Sequence, residues 1–181
     1  MSRYPPGPER SAALHCGRAR GLLAAMLLLG ALLAPAARSL ESLDAFPRSQ
    51  LEIRTAAGSE RFVIWIADTP ARSQQGLMFV RSLAADRGML FPLERPGVMR
   101  MWMKDTLIPL DMLFIDASGR IVYLRERATP ESEAIISTPI AVKAVLELAG
   151  GECSALGIRV GDQVRHALFG SAPEGPAAVV K

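Results

Sequence analysis

Apolar and polar positions alternate from Gln50 to Ile66, and this two-residue period predicts two strands. Leu51, Ile53 and Thr55 alternate with Glu52 and Arg54; Phe62, Ile64 and Ile66 alternate with Val63 and Trp65. Ala57-Gly58-Ser59 supplies the turn between them. The second strand is apolar on both faces, which suits a central or covered position. Thr69-Pro70 then starts a helix, with a hydroxyl cap followed by proline at the first helical position. The helix runs through Ala71 to Gln75 and either ends at Gly76 or continues to Met78. Arg72 and Gln75 are expected to face water, and Leu77, Met78 and Val80 to turn inward.

Gly88 to Phe91 reads as a short buried strand closed by Pro92, with a turn at Glu94 to Gly97. Val98 to Lys104 is extended, Thr106 to Pro109 reverses the chain, and Leu110 to Ile115 is the next strand. Asp116 to Gly119 is a hairpin turn, after which Ile121 to Arg127 returns. Ala128 to Pro139 is a loop long enough to cover something. Lys143 to Ala149 fits helix or strand, and its brevity before Gly150-Gly151 favours strand. Glu152 to Leu156 is one helical turn, and Ile158 to Leu168 a last hairpin about Gly161-Asp162. Short strands with one or two short helices predict a mainly β (α+β) fold, a compact antiparallel β-sandwich or barrel-like sheet.

Composition changes the picture at the N-terminus. Arginines precede an apolar run, Gly21 to Leu33, and small residues follow at Ala34-Pro35-Ala36-Ala37. That is the layout of a secretory signal cleaved after Ala36. The run is short of the roughly 20 apolar residues of a spanning helix, so membrane contact is expected only if the signal stays uncleaved. Cys16 precedes the run, which rules out a lipoprotein anchor. The expected plan is a signal peptide at 1–36, a linker at 37–49, one β-rich domain at 50–169 and a disordered tail at 170–181. The expected location is the periplasm or the medium.

The net charge of +3 belongs to the leader. Of 21 basic and 18 acidic residues the leader holds four and one, leaving 17 of each. A neutral body argues against nucleic acid as a partner. Past the leader only Cys153 and His166 remain of their kinds, so an internal disulfide and a His-rich zinc or iron site are excluded within one chain. A Ser-His-Asp triad has only His166 to build on. No cofactor and no metal site is expected.

Met99 to Asp116 concentrates what chemistry the chain offers. It carries one of two tryptophans, Trp102, one of three lysines, Lys104, and Asp105, Asp111 and Asp116 among aliphatics and methionines. If Val98 to Lys104 pairs with Leu110 to Ile115, Met99, Met101, Met103, Met112 and Phe114 share one face. Trp102, Lys104 and Asp111 then share the other, with Lys104 opposite Asp111 and Arg81 within reach. Two readings stand. Trp102 is core, worth about 4–6 kcal/mol on burial, and Lys104–Asp111 a marginal ion pair; or Trp102 floors a cleft whose polar groups are Arg81, Lys104, Asp105 and Asp111. The alternating thioethers of Met99, Met101 and Met103 also suit Cu(I).

The runs QGLM at Gln75 to Met78 with Arg81, GMLF at Gly88 to Phe91, WMKDT at Trp102 to Thr106 and IPLD at Ile108 to Asp111 stand in that order. FID at Phe114 to Asp116, VLEL at Val145 to Leu148 and GI..GD.V at Gly157 to Val164 follow. Together they resemble the domain of unknown function 192 family, over about residues 50 to 168. The resemblance implies a compact mainly β domain in bacterial envelopes and in archaea, with no established activity. That family usually has asparagine at the position of Asp105 and an aromatic at that of Met101. By position, Arg81, Trp102, Lys104, Thr106 and Asp111 are the candidate ligand-binding residues. The expected function is an exported ligand-binding or envelope-accessory module. The alternative is an envelope hydrolase using Asp111 with Lys104 or Arg81, and the remote one a Cu(I) protein through the three methionines.

Overall fold

Each alternating stretch becomes a strand in the computed structural model, which describes residues 40–173. The expected signal peptide, residues 37–39 of the expected linker and residues 174–181 of the tail lie outside the described residues. β1 (Arg48–Thr55) and β2 (Gly58–Ile66) form the expected hairpin. α1 (Pro70–Gln75) follows, capped by the Thr69 hydroxyl on the Arg72 amide at 3.2 Å and ended by Gly76 at φ +49°. The remaining strands are β3 (Arg87–Gly97), β4 (Arg100–Met101), β5 (Leu110–Ile115), β6 (Ile121–Ala128), β7 (Ile136–Ser137), β8 (Val142–Ala149) and β9 (Gln163–Arg165). α2 (Glu152–Leu156) separates the last two.

Seven strands form one mixed sheet in the order β6-β5-β8-β3-β2-β1-β9. Only β2 and β3 run parallel, because α1 carries the chain across between them. An isolated bridge from Arg120 to Gln163 joins the two ends, but the sheet is not closed into a barrel. β4 and β7 make a separate two-stranded ladder. Among the described residues the fold is therefore mainly β with two short α-helices, as the strand pattern implied.

The sheet buries both faces. Leu51, Ile53, Phe62, Ile64, Leu113 and Leu146 pack on one side. Phe91, Met101, Met103, Met112, Phe114 and Val145 pack on the other, with Leu77 and Phe46 laid over them. β8 lies inside the sheet, between β3 and β5.

Three local expectations are corrected. β3 does not stop at Pro92: it continues to Gly97 through an irregularity in its pairing with β8, where a residue without an N–H is tolerated. Ile158 to Val160 forms no strand, and β9 instead pairs with β1. Arg72 and Gln75 do not simply face water. Arg72 grips Glu41 at 2.7 and 2.9 Å and Asp68 at 2.8 Å, and lies 5.2 Å above the Phe46 ring. Gln75 hydrogen-bonds both the N–H and the C=O of Glu41, at 2.8 and 2.7 Å. The segment before β1 is thereby folded back over α1.

Candidate functional site

The expected pairing of Val98–Lys104 with β5 does not occur. β5 is flanked by β6 and β8, while only Arg100 and Met101 of the former stretch form a strand, against β7. The partners of β5 come from later in the chain and saturate both its edges, so no edge is left for its predecessor.

Asp111 follows from this. Strand alternation turns it to the side of Leu113 and Ile115. It is wholly buried there, and its oxygens accept backbone N–H groups from Arg127 at 2.7 Å, Gly151 at 3.0 Å and Cys153 at 2.9 Å. α2 begins at Gly151, which has no side chain to cap it, and Asp111 supplies that cap from another strand. Cys153 beside it is buried, and desolvation followed by the Asp111 charge pushes its thiol far above the ordinary range. It is no nucleophile.

Trp102, Lys104 and Thr106 lie on the opposite side of the sheet, around a cleft of about 260 Å³. Trp102 is 41% exposed, so it is not core, and the Lys104 ammonium sits 5.8 Å over its ring. Asp105, between Lys104 and Thr106, holds φ +54°. Its carbonyl accepts the Phe79 N–H at 2.8 Å and the buried Thr106 hydroxyl donates to the Lys104 carbonyl at 3.2 Å. This left-handed position explains the asparagine of the resembling family, since Asn and Asp tolerate it best. Asp105 is a turn residue rather than a reacting carboxylate.

α1 and Gly76 form the other wall. Gly76 is buried, and a Cβ there would stand 3.3 Å from the Phe91 ring, so the main chain lies almost on that ring. Leu77, Met78, Met99 and Met101 add apolar surface.

Glu147, which the sequence reasoning did not single out, lies in this cleft. It sits on β8 between Met89 of β3 and Met112 of β5. Only 4% of it is exposed, and among the described residues its carboxyl has no hydrogen-bond or ion-pair partner. Burial alone pushes it up to about 8 from the ordinary 4.5, so it is mostly protonated at neutral pH. The signal was there to read: one acid inside the apolar strand Ala144-Val145-Leu146-Glu147-Leu148.

The structure thus brings Trp102, Lys104 and Thr106 to one cleft with Glu147, and leaves out Arg81 and Asp111. Arg81 is exposed beyond the Met78 turn. A hydrolase reading on Asp111 loses its carboxylate to three backbone amides. The Cu(I) reading loses its premise, since the three methionines do not share a strand and Met103 is sealed in the core. His166 builds no triad. Its Nδ1 accepts the Leu168 N–H at 3.1 Å, so Nε2 carries the proton and donates to Ser49 Oγ at 2.9 Å. That is the reverse of what a general base needs.

The sequence model of an uncharacterised family, DUF192 ("Uncharacterized ACR"), matches residues 52–166. This chain belongs to the DUF192 family. It is similar to a "putative transcription regulator" of Sinorhizobium meliloti 1021, with 40% identity and a TM-score of 0.66 over 68% of this chain and 96% of that one. It is also similar to a protein of unknown function from Novosphingobium aromaticivorans DSM 12444, with 30% identity and a TM-score of 0.67 over 73% and 94%. No curated protein matches it. The DUF192 runs quoted above contribute all of Gln75 to Met78, then Phe91, Trp102, Lys104, Thr106 and Glu147 to the cleft, from four separate parts of the chain.

Proposed function

We propose that this DUF192 chain is exported through its leader to the periplasm or the medium and acts there as a ligand-binding or envelope-accessory module. The cleft between α1 and the Trp102 segment is its site. One observation carries the reading. Glu147 is an ionisable group left buried without a partner, which costs stability unless something occupies the opening beside it. Trp102 and Lys104 are exposed residues of the cleft lining and Thr106 a buried one, while Arg81 and Asp111 are not part of it. A regulator of transcription, as the Sinorhizobium protein is named, would need a basic face for nucleic acid. The balanced charge after residue 36 does not favour that here.

A thermal-shift screen of small molecules on the full chain tests the site. A ligand at a hundred times its Kd adds about 2.7 kcal/mol, or about 5–10 °C in Tm. Such a shift should vanish in Trp102→Ala. An equal shift in that variant, or none with any compound, refutes the cleft. For export, an N-terminus starting at Ala37 in material from the periplasm is expected; full-length chain retained in the cytoplasm refutes it.

A further inference from the structure

We infer that the ligand of this cleft is a small apolar carboxylate, whose oxygen takes a hydrogen bond from the Glu147 carboxyl while Lys104 and Arg100 balance its charge. The inference rests on the cleft being a binding site, and it names the ligand's chemistry. The volume, about 260 Å³, lies just below the usual range of roughly 300–1,000 Å³ for small-molecule pockets, so the occupant is small. Phe91, Leu77 and the methionines give it apolar walls.

Charge decides between an acid and an amine. Among the described residues, the charged side chains lining the cleft besides Glu147 are Lys104 and Arg100, and both are exposed cations. Neither makes an ion pair among the described residues. From β3 and β5, Glu147 faces Met89 and Met112, and from α1 the lining residues Ser73, Gln74 and Gln75 carry no charge. An amine would have to pass two cations and then force Glu147 to ionise in a site that burial keeps neutral. A carboxylate meets attraction at the mouth and an O–H donor at the base. An O–H to carboxylate hydrogen bond is among the strong ones, short and charge-assisted. No proton need leave the protein.

Phenylacetate and phenethylamine have the same ring and opposite charge, and make the test. Their binding to the full chain is followed by ligand-observed NMR at pH 6 and pH 9, either side of the value near 8 for Glu147. Phenylacetate should bind at pH 6 and about tenfold more weakly at pH 9, as nine-tenths of Glu147 loses its proton. Glu147→Gln keeps a donor and should bind at both pH values without that loss. Glu147→Leu should not bind, with its fold checked by near-ultraviolet circular dichroism. Equal pH dependence in wild type and Glu147→Gln, or undiminished binding in folded Glu147→Leu, overturns the role of Glu147. Binding of phenethylamine in place of phenylacetate overturns the ligand class and leaves the site standing. Binding of neither at millimolar concentration overturns both.

Discussion

Replacing Glu147 by glutamine keeps the shape of the side chain and removes its proton equilibrium. The folded chain holds that proton up to about pH 8, whereas the unfolded chain releases it near the ordinary 4.5. Below 4.5 the group is protonated in both states and adds no slope. Between 4.5 and 8 the unfolded state binds fewer protons than the folded one, so stability falls as pH rises. Above 8 both states are ionised and the slope ends. Each pH unit is worth about 1.4 kcal/mol, and the window as a whole about 3–5 kcal/mol. That is a large part of the roughly 5–15 kcal/mol that holds a domain together. Urea unfolding of wild type and Glu147→Gln at pH 5, 6, 7 and 8 measures it. The two chains should agree within about 1 kcal/mol at pH 5, and the variant should lead by about 3–5 kcal/mol at pH 8. Every other titrating group is shared and cancels in the difference. Parallel profiles would refute the reasoning, because they would mean that Glu147 ionises as freely in the folded chain as in the unfolded one.

Asp111→Ala strips three buried backbone N–H groups of their acceptor and should cost about 3–5 kcal/mol in urea unfolding, with ligand binding per folded molecule unchanged. Asp105→Asn should leave stability within about 0.5 kcal/mol, whereas Asp105→Ala should lose about 1 kcal/mol at its left-handed position, again by urea unfolding. Arg72→Ala should free the segment from Glu41 to Phe46, read as faster amide exchange there while β5 and β8 stay protected. Arg72→Lys should restore little of it, since an ammonium cannot span both Glu41 oxygens as the guanidinium does.

The fold was legible where the controlling interactions are local. The alternation at Leu51 and Ile53, the Thr69-Pro70 helix start and the Asp116 turn each specify their own geometry. In that turn the Asp116 carboxylate accepts from the Ser118 and Arg120 amides at 2.8 and 3.0 Å, which only a sharp reversal allows. The hairpin of β5 with β6 was legible, but the second partner of β5 was not. Period-two patterning says which face of a strand is apolar, but not whether the neighbour is the preceding segment or β8, a whole loop and two strands later. The same gap hid the role of Arg72, whose partner Glu41 lies 31 residues away. Of the five candidate residues, three therefore line one cleft, and Arg81 and Asp111 lie away from it. Trp102, Lys104 and Thr106 depend on one short segment, whereas the expected position of Asp111 depended on a pairing that long-range contacts override.

Two buried carboxylates show how far burial by itself can be read. Asp111 and Glu147 pair across adjacent strands one residue out of step, since Asp111 stands opposite Leu148 and Met112 opposite Glu147, and so they point to opposite faces of the sheet. Both are almost wholly removed from solvent. What separates them is the count of donors. Asp111 has three N–H groups, one from Arg127 of β6 and two from the start of α2, and its charge is spent on holding that strand and that helix together. Glu147 has none among the described residues and opens on a cleft. A leucine at 147 would fill the same space between Met89 and Met112 with no desolvation cost, so the acid is a defect in the core if the domain is judged by stability alone. Proteins keep such defects where function needs a group in that place, and they are rare elsewhere. The partner count, rather than the burial, assigns Asp111 to the fold and Glu147 to the site.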